Sequence, residues 1–370
     1  MSAPLSYRER FQRTLLHRAV DRPPMDLGAT DMTGIDGGPR RLLPELGVAR
    51  PPNATDDEAD EAALRALDVD IRDVGGILEP AGTVARQVSP TERVDAWGIT
   101  SRWNGHHYEA VGRPLAGATV DDLDRYPWPD PERLDPALIR SIADKARRLY
   151  EQSPYVVCAR HPYFGVMELG CWMCGFDDFL YRMAAEPDFV HRFFGIVHAY
   201  QRRVDEIYYA AVGRYIHFTT SGDDFGAQNA PLVSRTMFVE LVCPYLEQRI
   251  RHIREFTDAS FFHHSCGSIR PLIADLISAG VQILNPLQPR AASMDPESIK
   301  AEFGDSLVFY GAIDTQELLP RASAEEVAEE TRRIIRVLGA GGGYVLSAAH
   351  TLQGDVPAAN IVAMYRAGMP

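Results

Sequence analysis

Short apolar or β-branched runs alternate along this chain with longer segments whose apolar residues recur at helical spacing. The runs predicted as strands are 24-PMDLGA-29, 69-VDIRDV-74, 155-YVVCA-159, 215-YIHFTT-220, 260-SFFHH-264, 281-VQILNP-286, 307-LVFYGAI-313 and 343-GYVLSA-348. Helical periodicity covers 235–256, 268–280 and 324–339, and each stretch meets Gly or Asp before the next strand. An amphipathic helix is expected over 5–19, with Phe11, Leu15 and Leu16 on its apolar side. Strand–helix alternation implies parallel pairing through right-handed crossovers. About eight such units is the number that closes a (β/α)₈ (TIM) barrel, and the expectation is one α/β domain over 1–370. An open doubly wound sheet is the rival. It is disfavoured because no glycine-rich dinucleotide-type turn follows 24–29.

One segment breaks the rhythm. Residues 82–115 alternate polar and apolar positions around Ser89-Pro90 and Asn104-Gly105, which predicts an inserted antiparallel β excursion after the second strand. A Pro- and Asp-rich connector follows at 121–136.

Bulk composition narrows the function. Net charge is −13, against a nucleic-acid backbone binder. No run of about 18 apolar residues predicts a membrane span, and the first 20 residues do not read as a leader. Five cysteines form no disulfide framework, so a reducing, cytoplasmic compartment is expected.

In a barrel of this kind, chemistry collects at the C-terminal ends of strands. The polar groups there are Thr30, Asp31 and Thr33 after the first strand, and Arg160 and His161 after the third. The fourth strand brings Ser221, Asp223 and Asp224, with His217 inside the strand; the fifth brings His263, His264 and Cys266. Asn285, Gln288, Asp314, Gln316 and His350 complete the rim, with Gly75-Gly76 offering little after the second strand. Alternate residues of an extended segment face the same way, so His264-x-Cys266 presents an imidazole and a thiolate together. His350 closes the set across the mouth, as three N/S ligands with an open fourth position do in catalytic zinc sites. The competing reading makes Cys266 a small buried hydrophobe and the histidines hydrogen-bonded core groups. Asp223, Asp224 and His161 are the candidates for acid–base work, one aspartate being equally readable as a helix cap. Asp31, Thr33, Arg160, His217, Asn285, Gln288, Asp314 and Gln316 are the candidates for substrate contact. The pair in 171-CWMC-174 is read as a packed helix face, and 339-GAGGGY-344 as an αβ connection.

The segments HSCG at 264–267, YGAIDTQ at 310–316 and 343-GYVLSAAHTLQGDVPAANIVAMYRA-367 resemble uroporphyrinogen decarboxylase-type proteins. The segments 22-RPPMDLGATDMTGI-35, 126-YPWPDP-131 and 222-GDDFGAQ-228 are similar to an uncharacterised branch of that superfamily. The resemblance implies a (β/α)₈ barrel and one of two chemistries. Decarboxylases remove carboxyl groups from porphyrinogen acetates without metal, using an arginine-rich segment after the first strand. This chain has GATDMTG there, with no arginine. Corrinoid-dependent methyltransferases hold zinc with H-x-C and a distant Cys, at whose place His350 stands here. The resemblance thus implies zinc on His264, Cys266 and His350, a small-molecule substrate, and a corrinoid (cobalamin) on a carrier protein. The family habit of pairing subunits makes a homodimer an expectation. The alternatives are a metal-independent decarboxylase or lyase using His350 and the aspartates, and a barrel that binds a tetrapyrrole or corrinoid without turnover.

Overall fold

The computed structural model describes residues 4–50, 52–75, 78–80, 85–105 and 108–369. Gly76, and residues 82–84 and 106–107 of the expected antiparallel excursion, lie outside the described residues. The strands in chain order are β1 (Ile71–Asp73), β2 (Arg86–Ser89), β3 (Glu92–Val94), β4 (Thr100–Trp103), β5 (Tyr108–Gly112), β6 (Val156–Ala159), β7 (Phe218–Thr219), β8 (Ser260–His264), β9 (Ile283–Leu287), β10 (Val308–Ile313) and β11 (Tyr344–Ala348). Seven of them form a curled parallel sheet in the order β1-β6-β7-β8-β9-β10-β11, and β2-β3-β4-β5 make a separate antiparallel sheet. Among the described residues no helix is long and apolar enough to cross a membrane.

The expected strand at 24–29 shrinks to a single bridge, Met25 to Leu346. Its neighbours explain why. Pro24 has no N–H to offer a ladder, and Gly28 turns the chain at φ 89°. Asp26 then bonds forward to the Ala29 N–H and the Thr33 hydroxyl instead of continuing extended. Pro24, Met25 and Asp26 nonetheless tie both edges of the sheet. Leu346 N–H donates to Pro24 O at 2.8 Å, Asp26 N–H to Leu346 O at 3.0 Å, and Asp70 N–H to Met25 O at 2.9 Å.

Inside the curl, residues of one parity meet: Ile71, Val156, Cys158, Phe218, Phe262, Ile283, Val308, Tyr310 and Val345. The residues of opposite parity face the helices. Phe11, on the helix Tyr7–Leu15, enters the inner cluster from the N-terminal ends of the strands, 5.2 Å from the Phe218 ring. Burying such a side chain contributes roughly 1.5–3 kcal/mol. That helix is shorter than the periodicity predicts, because His17 adopts a positive φ, and Leu16 is left exposed. The helix expected over 235–256 is broken by a π-turn, Phe238–Val242, just before Pro244, which lacks the N–H for a regular turn.

Candidate metal centre

Strand parity decides what β8 presents. Phe262 and His264 share the inner face, while Phe261 and His263 point toward the helices. His263 accordingly meets Ser221 Oγ at 2.7 Å and stacks on Phe225, away from the inner face. His264 faces the mouth. Its Nε2 lies 3.2 Å from Cys266 Sγ, and its ring centroid is 5.7 Å from that of His350. One ligand atom each from His264, Cys266 and His350 falls within 4.8 Å of the others. In a flat sheet, β8 and β11 stand three strands apart, on the order of 14 Å. The curl of the sheet brings them together.

Asn285 prepares His264 for this role. The β8–β9 register sets the two side by side. Asn285 Nδ2 donates to Tyr310 O at 3.2 Å, which turns its Oδ1 to His264 Nδ1 at 2.5 Å. Nδ1 therefore carries the proton, and the Nε2 lone pair faces Cys266 and His350, the arrangement that metal-ligating histidines need. Burial pushes His350 down to about 4, so it is neutral at neutral pH and its ring can ligate. Burial, with Asp224 and Glu168 nearby, pushes the Cys266 thiol up. A cation is what would reverse that and yield a thiolate. The donor set fits a divalent zinc ion.

The two aspartates divide. Asp223 is buried, and its carboxylate accepts the N–H groups of Met167 (3.0 Å) and Glu168 (2.7 Å). It caps the helix Val166–Cys174 from outside, because the helix's own N-cap is Gly165. Gly165 is required there: a Cβ would lie 2.2 Å from Asp223 Cγ. Burial raises the Asp223 carboxyl to about 7 against the pull of the two N–H donors. Asp224 is half-exposed, accepts the Cys266 N–H at 2.8 Å, and lies 3.6 Å from His264 Nε2. Of the two, it is the carboxylate in contact with the candidate ligands His264 and Cys266. The strap Ser221–Asp224 runs beside β8, with His264 N–H on Ser221 O (2.7 Å) and Asp223 N–H on His264 O (3.0 Å). Cys171 and Cys174 are buried, unpaired residues of the capped helix.

The other sequence candidates are placed as follows. His161 is buried, its N–H and Nδ1 both on Thr220 Oγ1, and burial pushes it down to about 3. Arg160 joins Asp31 (3.0 Å), Asp73 (3.3 Å) and Gly28 O. Thr33 donates to Asp26 and so holds the turn after the first segment. Gln288 accepts the Gly267 N–H at 2.9 Å. Asp314 caps the helix Leu318–Arg321 through the N–H groups of Gln316, Glu317 and Leu318. Gln288, Asp314 and Gln316 line a pocket of about 530 Å³ together with Cys266 and His350. His217 departs from expectation. It precedes β7 rather than lying inside it, its carbonyl aligns with the first residue of β8, and its ring lies on Tyr150 with Nδ1 accepting the Val157 N–H. It belongs to the opposite end of the strands and is not brought to the site. Glu168 and Asp26 were not among the sequence candidates. Burial, with Asp224 and Asp223 close by, pushes the Glu168 carboxyl up, and Asp26 is fully buried under the mouth. A lone acid in a first helical turn or a strand carries no sequence signal of such surroundings.

The family model described as uroporphyrinogen decarboxylase (URO-D) matches residues 95–368. No curated protein matches the chain in sequence. Among solved structures, a methyltransferase from Methanosarcina mazei is similar at 15% identity and TM-score 0.63, covering 98% of each chain, and this likeness is one of fold. An endo-1,4-beta-xylanase from Penicillium canescens, at 11% identity and TM-score 0.39, covers 65% of this chain and 82% of its own, too slight to inform the fold.

Proposed function

This chain belongs to the uroporphyrinogen decarboxylase (URO-D) family, and from that premise we propose that it is a zinc-dependent methyltransferase, moving a methyl group between a small substrate and a corrinoid or similar carrier. The observation that carries the reading is the convergence of His264, Cys266 and His350 within 4.8 Å, with Asn285 holding His264 in the ligating tautomer. The similarity in fold to a methyltransferase supports it. We take the fold as a (β/α)₈ barrel whose eighth strand is reduced to Pro24–Asp26. We place the protein in the cytoplasm, where its five free cysteines stay reduced. The carrier corrinoid would arrive on a partner protein, and the chain would pair with a second copy.

Zinc, when bound to the three side chains, would supply a Lewis acid that makes a thiol, hydroxyl or alkoxy group reactive at neutral pH. Asp224 is placed to accept a proton released beside Cys266. Asp223 holds the helix that carries Glu168, whose carboxyl is pushed up by burial and by the neighbouring Asp224 and Asp223. The wall formed by Gln288 and Gln316 orients the substrate. Metal-free decarboxylation, the alternative, needs a cation for the substrate carboxylate, and Arg160 already has Asp31 and Asp73 on its guanidinium.

Metal analysis of protein purified without added zinc tests the reading. The expected outcome is about one zinc per chain in the wild type and a content near zero in Cys266→Ala. Equal metal in both proteins would sink it.

A further inference from the structure

We propose that the small molecule taken beside the metal ligands carries an uncharged or cationic tail rather than a carboxylate or sulfonate. This rests on the methyltransferase reading and adds the chemical class of the molecule that the site accepts. The wall of the pocket next to Cys266 and His350 is of one electrostatic kind. Gln288, Gln316 and Gln353 contribute amides, Asp314 and Asp355 contribute carboxylates, and neither arginine nor lysine stands among the described residues that line it. Asp224 adds a carboxylate at the Cys266 end.

Of the guanidiniums on adjoining segments, Arg41, Arg160 and Arg321 are engaged elsewhere, Arg321 with Glu317, and Arg290 lines the neighbouring pocket that also borders Asp314. Arg41 donates to the main-chain carbonyls of Gln353 (3.5 Å) and Val356 (2.8 Å), and Arg160 is bound to Asp31, Asp73 and Gly28. Asp314 shares its charge with three N–H groups of the helix it caps. Asp355 is exposed in the wall, and Asp224, which accepts the Cys266 N–H, is 37% exposed. A net charge of −13 deepens the same potential. An anionic tail entering this pocket meets like charge without a donor fork to receive it, whereas a hydroxyl finds amides and a cation finds carboxylates.

A matched series of thiols, differing only in the tail on a two-carbon chain, tests the inference by calorimetric titration of the metal-loaded protein. The series is thiocholine, 2-mercaptoethanol and 2-mercaptoethanesulfonate; the quaternary nitrogen of the first cannot itself act as a metal ligand. Thiocholine and mercaptoethanol are expected to bind roughly tenfold or more tightly than the sulfonate. Asp355→Lys is expected to narrow that ratio severalfold. Sulfonate binding as tight as that of the other two overturns the proposal, as does a ratio that Asp355→Lys leaves unchanged, or a metal-loaded protein to which no thiol binds. Failure of the methyltransferase reading shows separately, as a metal content indifferent to Cys266→Ala.

Discussion

The two ends of the parallel strands bury polar groups in opposite ways. At the N-terminal ends, Asp70 is fully buried, and each of its oxygens is answered: Arg10 Nη1 at 2.7 Å on one, Arg22 Nη1 at 2.6 Å and the Met25 N–H at 2.9 Å on the other. Asp21 and Asp68 complete the pairing of the two arginines. At the C-terminal ends, His264, Cys266, His350 and Asp224 converge with lone pairs to spare. A satisfied network locks the chain in place, and a cluster with open valences is poised for a ligand.

The contrast is broken most forcefully at the lower end. Asp70→Asn removes the buried charge that two guanidiniums share and is expected to cost about 3–5 kcal/mol in urea unfolding. Metal content per folded chain should stay as in the wild type, and a parallel loss of metal would merge the two ends into one cooperative unit. Asn285→Ala does the reverse. It frees the His264 ring and should weaken metal binding by about 10- to 100-fold in a chelator competition.

A smaller effect comes from acid. Burial holds His217 at about 4, below its unfolded value, so the unfolded chain takes up the proton first as pH falls. The stability contributed by neutral His217 is complete above about 6.5 and is lost progressively toward 4. His217→Gln should flatten the fall in unfolding free energy over that window by an amount on the order of 1–2 kcal/mol. An unaltered slope would assign the acid sensitivity to other groups.

Much of this arrangement was legible in the chain before any coordinates. The runs at 260–264, 283–287, 308–313 and 344–348 are strands because they are apolar, short and bounded by turns, and nothing in their surroundings opposes that preference. Period-two alternation sufficed to put His264 and Cys266 on one face. What failed was whatever depends on neighbours distant in sequence. Pro24–Ala29 reads as a strand until Asp26 finds Thr33 and Ala29. His217 reads as a residue inside the fourth strand until Gly213–Tyr215 coils and β7 starts late. Asn285 was expected to touch substrate, and the register between β8 and β9 sets it under His264 instead. Asp223 and Asp224 are adjacent in sequence and differ in surroundings only because one meets a helix end and the other a cysteine amide.

The clasp at Pro24–Asp26 bears on more than topology. Leu346, which it grips, lies on the same strand that leads to His350, whereas His264 and Cys266 extend from a strand flanked on both sides. The His350 side of the candidate ligand set is therefore held by a clasp of three residues. Anything held between His264 and His350 would span the curled sheet from an inner strand to its edge strand, and the hydrogen bonds of Pro24–Asp26 fasten that edge strand.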